Sequence, residues 1–116
     1  MGMTYIDGKV RGSKGEADVR FLVDSGAIYT LLPLKIWKKI GLEPKREHTF
    51  ILADGTQINR KVSECYIILP QGEAHTPVIL GEEGDVAVLG VVTLEILGLV
   101  FDPFKRELKP MRMLLV

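Results

Sequence analysis

A carboxylate at the end of an apolar run constrains this chain more than any other feature. Phe21-Leu22-Val23 leads directly into Asp24-Ser25-Gly26-Ala27. Aspartate is a poor strand former and costly to bury without a partner, so a strand that ends on one asks for a reason. Ser25 offers a hydroxyl for local backbone hydrogen bonds, and Gly26 permits a turn that brings main chain close to whatever Asp24 faces. Two readings follow from these residues. Either the strand closes in an Asx-type turn, or the loop presents Asp24 for acid–base chemistry. The rest of the chain has to decide.

The 116 residues suffice for one hydrophobic core and are too few for two, so a single domain over 1–116 is expected. Fifteen basic and fifteen acidic residues cancel, which removes any global pull toward nucleic acid or a membrane surface. Lys35, Lys38 and Lys39 gather locally, with Arg46 further on, as a solvated helix face. The single cysteine, Cys65, cannot form an intrachain disulfide and fits a reducing compartment. The first residues lack the basic start and apolar segment of a leader, and Gly, Pro or charge interrupts every apolar stretch before spanning length. A soluble, cytoplasmic protein is expected, without membrane or nucleic-acid partners.

Taken in order, Thr4 to Val10 reads as a short strand with a turn at Asp7-Gly8, and Gly12 to Gly15 as a second turn. Glu16 to Val23 follows as the strand that delivers Asp24, with Val19, Phe21 and Val23 on one face. Ile28 to Leu32 is a further strand. Pro33 then opens a helix in which Leu34, Trp37 and Ile40 share a face, Trp37 anchors the core, and Gly41 ends it. Phe50 to Ala53 and Gln57 to Val62 flank Asp54-Gly55-Thr56, a strong hairpin signal with a small polar tip. Strands are expected at Ser63–Leu69, Thr76–Leu80 and Val86–Gly90, with Cys65 as a packed apolar side chain. Gly81 to Asp85 is an acidic loop without the ligand spacing of a calcium site. Val91 to Leu97 reads as a short helix, and Leu99–Phe101 pairs with Arg106–Leu108 across a turn at Asp102-Pro103. Met111 to Val116 reads as an apolar, strand-like terminus suited to a partner surface. The fold class is therefore mostly β: a closed or partly open barrel of short strands with two short helices.

Three features now stand in one order: Asp24-Ser25-Gly26-Ala27, the tip Ala53-Asp54-Gly55-Thr56, and Leu89-Gly90 after Val88 at the mouth of a helix. Together they resemble the retropepsin-like aspartic proteases. Ile51-Leu52-Ala53-Asp54-Gly55-Thr56 and Leu89-Gly90-Val91-Val92-Thr93-Leu94-Glu95 are most similar to the small single-domain clan AA enzymes of prokaryotes. The resemblance covers roughly Val10 to Pro110. It implies an aspartic endopeptidase, active on extended peptides without metal or cofactor, with Asp24 as the catalytic residue. Ser25 and Gly26 would support that loop, Ser25 through a hydroxyl that crosses to the partner. Ala27 and Ile28 would border the substrate, and Ala53, Asp54, Gly55 and Thr56 would close over it as a flap. Leu89 and Gly90 would pack beneath the loop.

The chemistry supplies its own reason for a dimer. Peptide hydrolysis by carboxylates needs one group to take a proton from water and one to give a proton to the carbonyl oxygen. Two carboxylates held together share a proton and fill both roles. This chain has one such loop, so the second Asp24 comes from a second copy, and a two-fold axis places it beside the first.

Rival readings stay open. A non-catalytic peptide-binding or dimerisation module on the same fold is the main alternative, although such a module has little use for a buried carboxylate. An oligonucleotide-binding barrel is disfavoured because Tyr5, Tyr29, Trp37 and Tyr66 are scattered and the charge is balanced. His48 and His75 lack zinc-site spacing and read as surface residues, and neither Cys65 nor Ser25 has a sequence-local base.

Overall fold

The computed structural model describes residues 2–115. These residues form nine strands and two short helices: β1 (Tyr5–Gly12), β2 (Gly15–Val23), β3 (Thr30–Leu32), α1 (Leu34–Lys39), β4 (Arg46–Ile51), β5 (Gln57–Leu69), β6 (Gly72–Leu80), β7 (Val88–Leu89), α2 (Val91–Ile96), β8 (Leu99–Asp102) and β9 (Glu107–Pro110). Seven strands make one sheet in the order β1-β2-β7-β3-β6-β5-β4, and a further pairing of β1 with β5 closes six of them into a ring. The mostly β barrel expected from the alternation of short apolar runs is the architecture found. β4 hangs outside the ring on β5, and β8 and β9 form a separate hairpin.

Period-two burial explains the core. In β2, Ala17, Val19, Phe21 and Val23 are buried while Asp18 and Arg20 face solvent. Val10, Leu32, Ile67, Val78 and Leu89 meet them from other strands, and Ile40 and Leu42 close one end after α1. Trp37 is the expected anchor: it packs against this core and its indole N–H donates to the Gly81 carbonyl at 2.8 Å. Cys65 is buried as an apolar filler, and burial pushes its thiol up to about 12.

Several local expectations give way to tertiary contacts. Asp7-Gly8 is no turn, for Asp7 pairs with Arg20 and Gly8 with Val19 in mid-strand. A Cβ on Gly8 would stand 2.6 Å from Leu69 Cδ2 and 2.8 Å from the Ile68 carbonyl oxygen, so this glycine lets β1 approach β5 and close the ring. Gln57–Val62 and Ser63–Leu69 are one continuous strand, and β6 starts at Gly72 because Glu73 and Ala74 pair with Ile68 and Ile67. The strand expected from Val86 shrinks to Val88–Leu89, and that from Ile28 to Thr30–Leu32. Pro33 sits just before the first helical residue, at the cap. Residues 111–114 and Leu115 form no strand; the Met111 N–H donates to the Gly98 carbonyl at 2.8 Å, and the chain beyond is exposed. Val116 lies outside the described residues.

Candidate active site

Asp24 follows the last residue of β2, where that strand runs parallel to β7 with Val23 opposite Leu89. Its amide N–H points at the Leu89 carbonyl at 3.4 Å, which ties the strand end to the element that leads into α2. The loop then folds on its own carboxylate. The Gly26 N–H donates to Asp24 Oδ1 at 2.8 Å, and the Ala27 N–H donates to the Asp24 carbonyl at 3.1 Å. This is the Asx-type turn of the plainer reading, and among the described residues no hydrogen bond reaches the other carboxylate oxygen. Asp24, Ser25 and Gly26 are exposed in the single chain. The burial expected for this carboxylate does not come from its own chain's packing.

The loop is held from below by residues far away in sequence. Val91 and Val92, at the start of α2, donate their N–H groups to the carbonyls of Ala27 and Ile28 at 2.8 and 2.9 Å. Gly90 lies so close to Tyr29 that a Cβ there would be 2.4 Å from the Tyr29 carbonyl carbon. Leu89 is fully buried beside it. The Gly90 N–H donates to Thr30 Oγ1, which is 2.6 Å from Thr93 Oγ1, itself 2.7 Å from Thr76 Oγ1. All three threonines are buried, so their hydroxyls have no water to fall back on and must satisfy one another. One proton order does so throughout: Thr30 donates to Thr93, Thr93 to Thr76, and Thr76 to the Pro77 carbonyl. Chained hydroxyls in a dry interior polarise each other and fix rotamers. The sequence signal for this network is weak, namely hydroxyls at inward positions of otherwise apolar runs.

A cleft of about 440 Å³ opens beside Asp24. Asp24, Gly26, Ala27 and Ile28 form one side, and Phe50, Ile51 and Leu52 of the β4 arm form the other. The expected loop residues and the hairpin are thus brought together across an open space. The tip itself, Ala53 to Thr56, does not line it; the stem does. The tip closes on itself, with the Leu52 N–H donating to the Thr56 carbonyl at 2.8 Å and the Thr56 N–H to Asp54 Oδ1 at 2.9 Å. Thr56's hydrogen bonds, side chain first and backbone second, hold the Asp54 carboxyl below the ordinary aspartate value. Tyr29 and Phe50 meet edge to face at 5.9 Å between ring centres, joining the Asp24 side of the cleft to the arm above it. Tyr29, Phe50, Ile58, Arg60 and Asp85 all line the cleft and were not among the residues expected there.

The other candidate chemistries find little here. A larger cleft of about 610 Å³ shares no residue with the one at Asp24, and its charges include the close pair Lys45–Glu64 at 2.9 Å. Cys65 borders it, but a thiol raised so far by burial is no nucleophile at neutral pH. His48 and His75 are exposed, as expected. Asp85 Oδ2 accepts the Glu82 N–H at 2.7 Å, which accounts for that acidic loop as a turn. Among the described residues no helix is long and apolar enough to cross a membrane.

A ring-closed barrel, an aspartate loop at a strand end and a hairpin arm above it define the retropepsin-like acid protease fold. Residues 6–91, well over half of the chain, match the family described as aspartyl protease, and the chain belongs to that family. The structure is similar to that of EIAV protease complexed with the inhibitor HBY-793, at 18% identity and a TM-score of 0.54, over 70% of this chain and 78% of that one. No curated protein matches the sequence.

Proposed function

We propose that the protein is an aspartic endopeptidase in which Asp24 of two identical chains forms one shared-proton dyad. The observation that carries this reading is the Asp24 loop itself. Its carboxylate is presented to a cleft and oriented by the Gly26 amide, the loop behind it is held by α2 backbone at Ala27 and Ile28, and yet the carboxylate is left exposed and single. Asp85 is the other carboxylate lining that cleft. Its Oδ2 is engaged by the Glu82 amide, and among the described residues no hydrogen bond joins it to Asp24. A second copy supplies the missing partner, buries the pair, and raises the cost of ionising both.

In that dyad the ionised Asp24 takes a proton from water, whose oxygen attacks the scissile carbonyl carbon. The protonated Asp24 gives its proton to the carbonyl oxygen. The resulting tetrahedral diol collapses as the first carboxyl passes its proton to the leaving nitrogen and one diol hydroxyl returns its proton to the second Asp24. The C–N bond breaks and the C=O bond re-forms, which restores the shared-proton dyad. Ser25, exposed at the loop, is available to bond the partner's loop. Ala27 and Ile28 border the peptide, and the hairpin carrying Ala53, Asp54, Gly55 and Thr56 closes over it to exclude water. The working unit is one domain per chain, and a reducing compartment such as the cytoplasm suits the free thiol of Cys65.

The test is cleavage of an extended peptide library from acidic to neutral pH, with wild type beside Asp24→Asn and sedimentation reporting dimer content. Cleavage by wild type that vanishes in a still dimeric Asp24→Asn is the expected result. A folded wild-type dimer that binds peptides and cleaves none turns the reading to a non-catalytic peptide-binding module.

A further inference from the structure

Ile58, Arg60 and Val62 share the face of β5 that looks onto the cleft, opposite the face on which Cys65, Ile67 and Leu69 enter the core, while Asn59 and Lys61 face solvent. Ile58 and Arg60 line the cleft beside Asp24, and Val62 is fully buried. An arginine therefore stands on the cleft face between two apolar side chains, Ile58 and Val62. Arg60 is the one cation lining this cleft among the described residues, and much of the remaining wall is apolar, including Leu31, Ile79 and Val88.

What the fold gives Arg60 in return is slight. Its side chain is 26% exposed, and Nη1 is 3.4 Å from Oε1 of Glu82, a side chain that is 69% exposed. The same Nη1 lies 3.4 Å from the carbonyl of its neighbour Asn59. A guanidinium carries five N–H donors in a planar fork, and these two long contacts use one nitrogen. An ion pair with so exposed a carboxylate is screened and readily exchanged. Glu82 returns to water at little cost when a better acceptor arrives. Asp85, the cleft's other charged wall residue besides Asp24, is already fastened to the Glu82 amide by its own turn.

Resting on the reading of this cleft as a peptide site, we infer that Arg60 is a specificity-determining residue that selects an acidic side chain, Asp or Glu, at one position of the substrate. The carboxylate accepts two N–H groups from the guanidinium fork in place of Glu82, and the methylene stem lies on the apolar wall. A glutamine of the same length forfeits the charge-assisted pair. That loss corresponds to about tenfold or more in affinity.

The experiment measures binding of fluorescent extended peptides, in pairs that differ by Glu against Gln at each position, to Asp24→Asn so that nothing is consumed. One position is expected to prefer Glu by about tenfold or more. The preference falls to within about twofold when Arg60→Ala is added, and it grows when Glu82→Ala removes the competing carboxylate. Circular dichroism establishes that each variant is folded, and Arg60→Lys, which keeps charge but not the fork, is expected to retain part of the preference. Absence of any Glu preference, a preference that survives Arg60→Ala, or a failure to bind any peptide overturns the inference. Wild-type cleavage in the same library separates the two ideas. Arg60-dependent Glu binding without cleavage keeps this inference and removes the peptidase; Asp24-dependent cleavage blind to Glu does the reverse.

Discussion

The chain contains two short aspartate turns with nearly the same local chemistry and very different support. In Asp24-Ser25-Gly26 the Gly26 N–H donates to Asp24 Oδ1 at 2.8 Å; in Asp54-Gly55-Thr56 the Thr56 N–H donates to Asp54 Oδ1 at 2.9 Å. Among the described residues the second turn's other bonds run between Leu52, Gly55 and Thr56, within one hairpin tip. Beneath the first lie the amides of Val91 and Val92, the packed Gly90, and the buried hydroxyls of Thr30, Thr93 and Thr76. The local motif makes a carboxylate face inward on its own turn. Long-range packing braces one of the two turns and leaves the other tied within its own hairpin, a difference that suits the proposed roles of platform and flap.

Exchange of the carboxylates breaks the comparison most sharply. Asp24→Asn should lower peptide cleavage by at least about a thousandfold while the urea midpoint stays in place, because the amide oxygen still accepts the Gly26 N–H. Asp54→Asn, assayed beside it, should leave cleavage measurable. Equal losses in the two variants would show that the loops are not distinguished by function.

The glycines come next. A Cβ at Gly90 meets Tyr29 and Ile28 backbone at 2.4 to 2.7 Å, so Gly90→Ala should cost on the order of 3 kcal/mol by denaturant titration. Gly55, at φ +88° with open space around it, carries only the left-handed penalty, about 1 kcal/mol for Gly55→Ala. Between these falls Thr93→Val, which keeps the shape but strands the hydroxyls of Thr30 and Thr76. A loss of about 2 kcal/mol is expected, read as a lower unfolding midpoint.

The smallest effect is one of pH. The folded Asp54 carboxyl titrates below the ordinary 3.8, so its hold on the turn is complete above that value and is lost as pH falls through the lower folded one. Protection of the Thr56 amide, its exchange relative to the intrinsic rate at each pH, should therefore fall in strongly acid solution and stay level between pH 5 and 8. Thr56 protection that does not change on acidification, or is equal in Asp54→Asn, would remove the carboxylate from the account of the tip.

Much of this was legible in the residues. Alternation placed Val19, Phe21 and Val23 in the core, the Asp54-Gly55 pair marked its hairpin, and the apolar run into Asp24 pointed to the cleft. Where reading failed, a neighbour distant in sequence had changed the local balance. Asp7-Gly8 has the composition of a turn, but pairing with β2 on one side and closure against β5 on the other outweigh that preference. Met111 to Leu115 has the composition of a strand, yet no β pairing holds it among the described residues, and Leu115 is 99% exposed. Arg60 is not legible as a cleft residue because Asn59-Arg60-Lys61 looks like a polar surface stretch until the sheet turns the middle residue toward the cleft.

The sequence by itself determined the class of fold, the loop that carries Asp24 and the hairpin opposite it, since periodicity and turn chemistry act over a few residues. Only the tertiary structure decided that Thr93 lies under Thr30, that Phe50 and Arg60 rather than the hairpin tip line the cleft, and that Asp24 stays uncovered in one chain. Those facts depend on which strands meet, and strand pairing is fixed by burial summed over the whole barrel, which no short stretch of residues encodes.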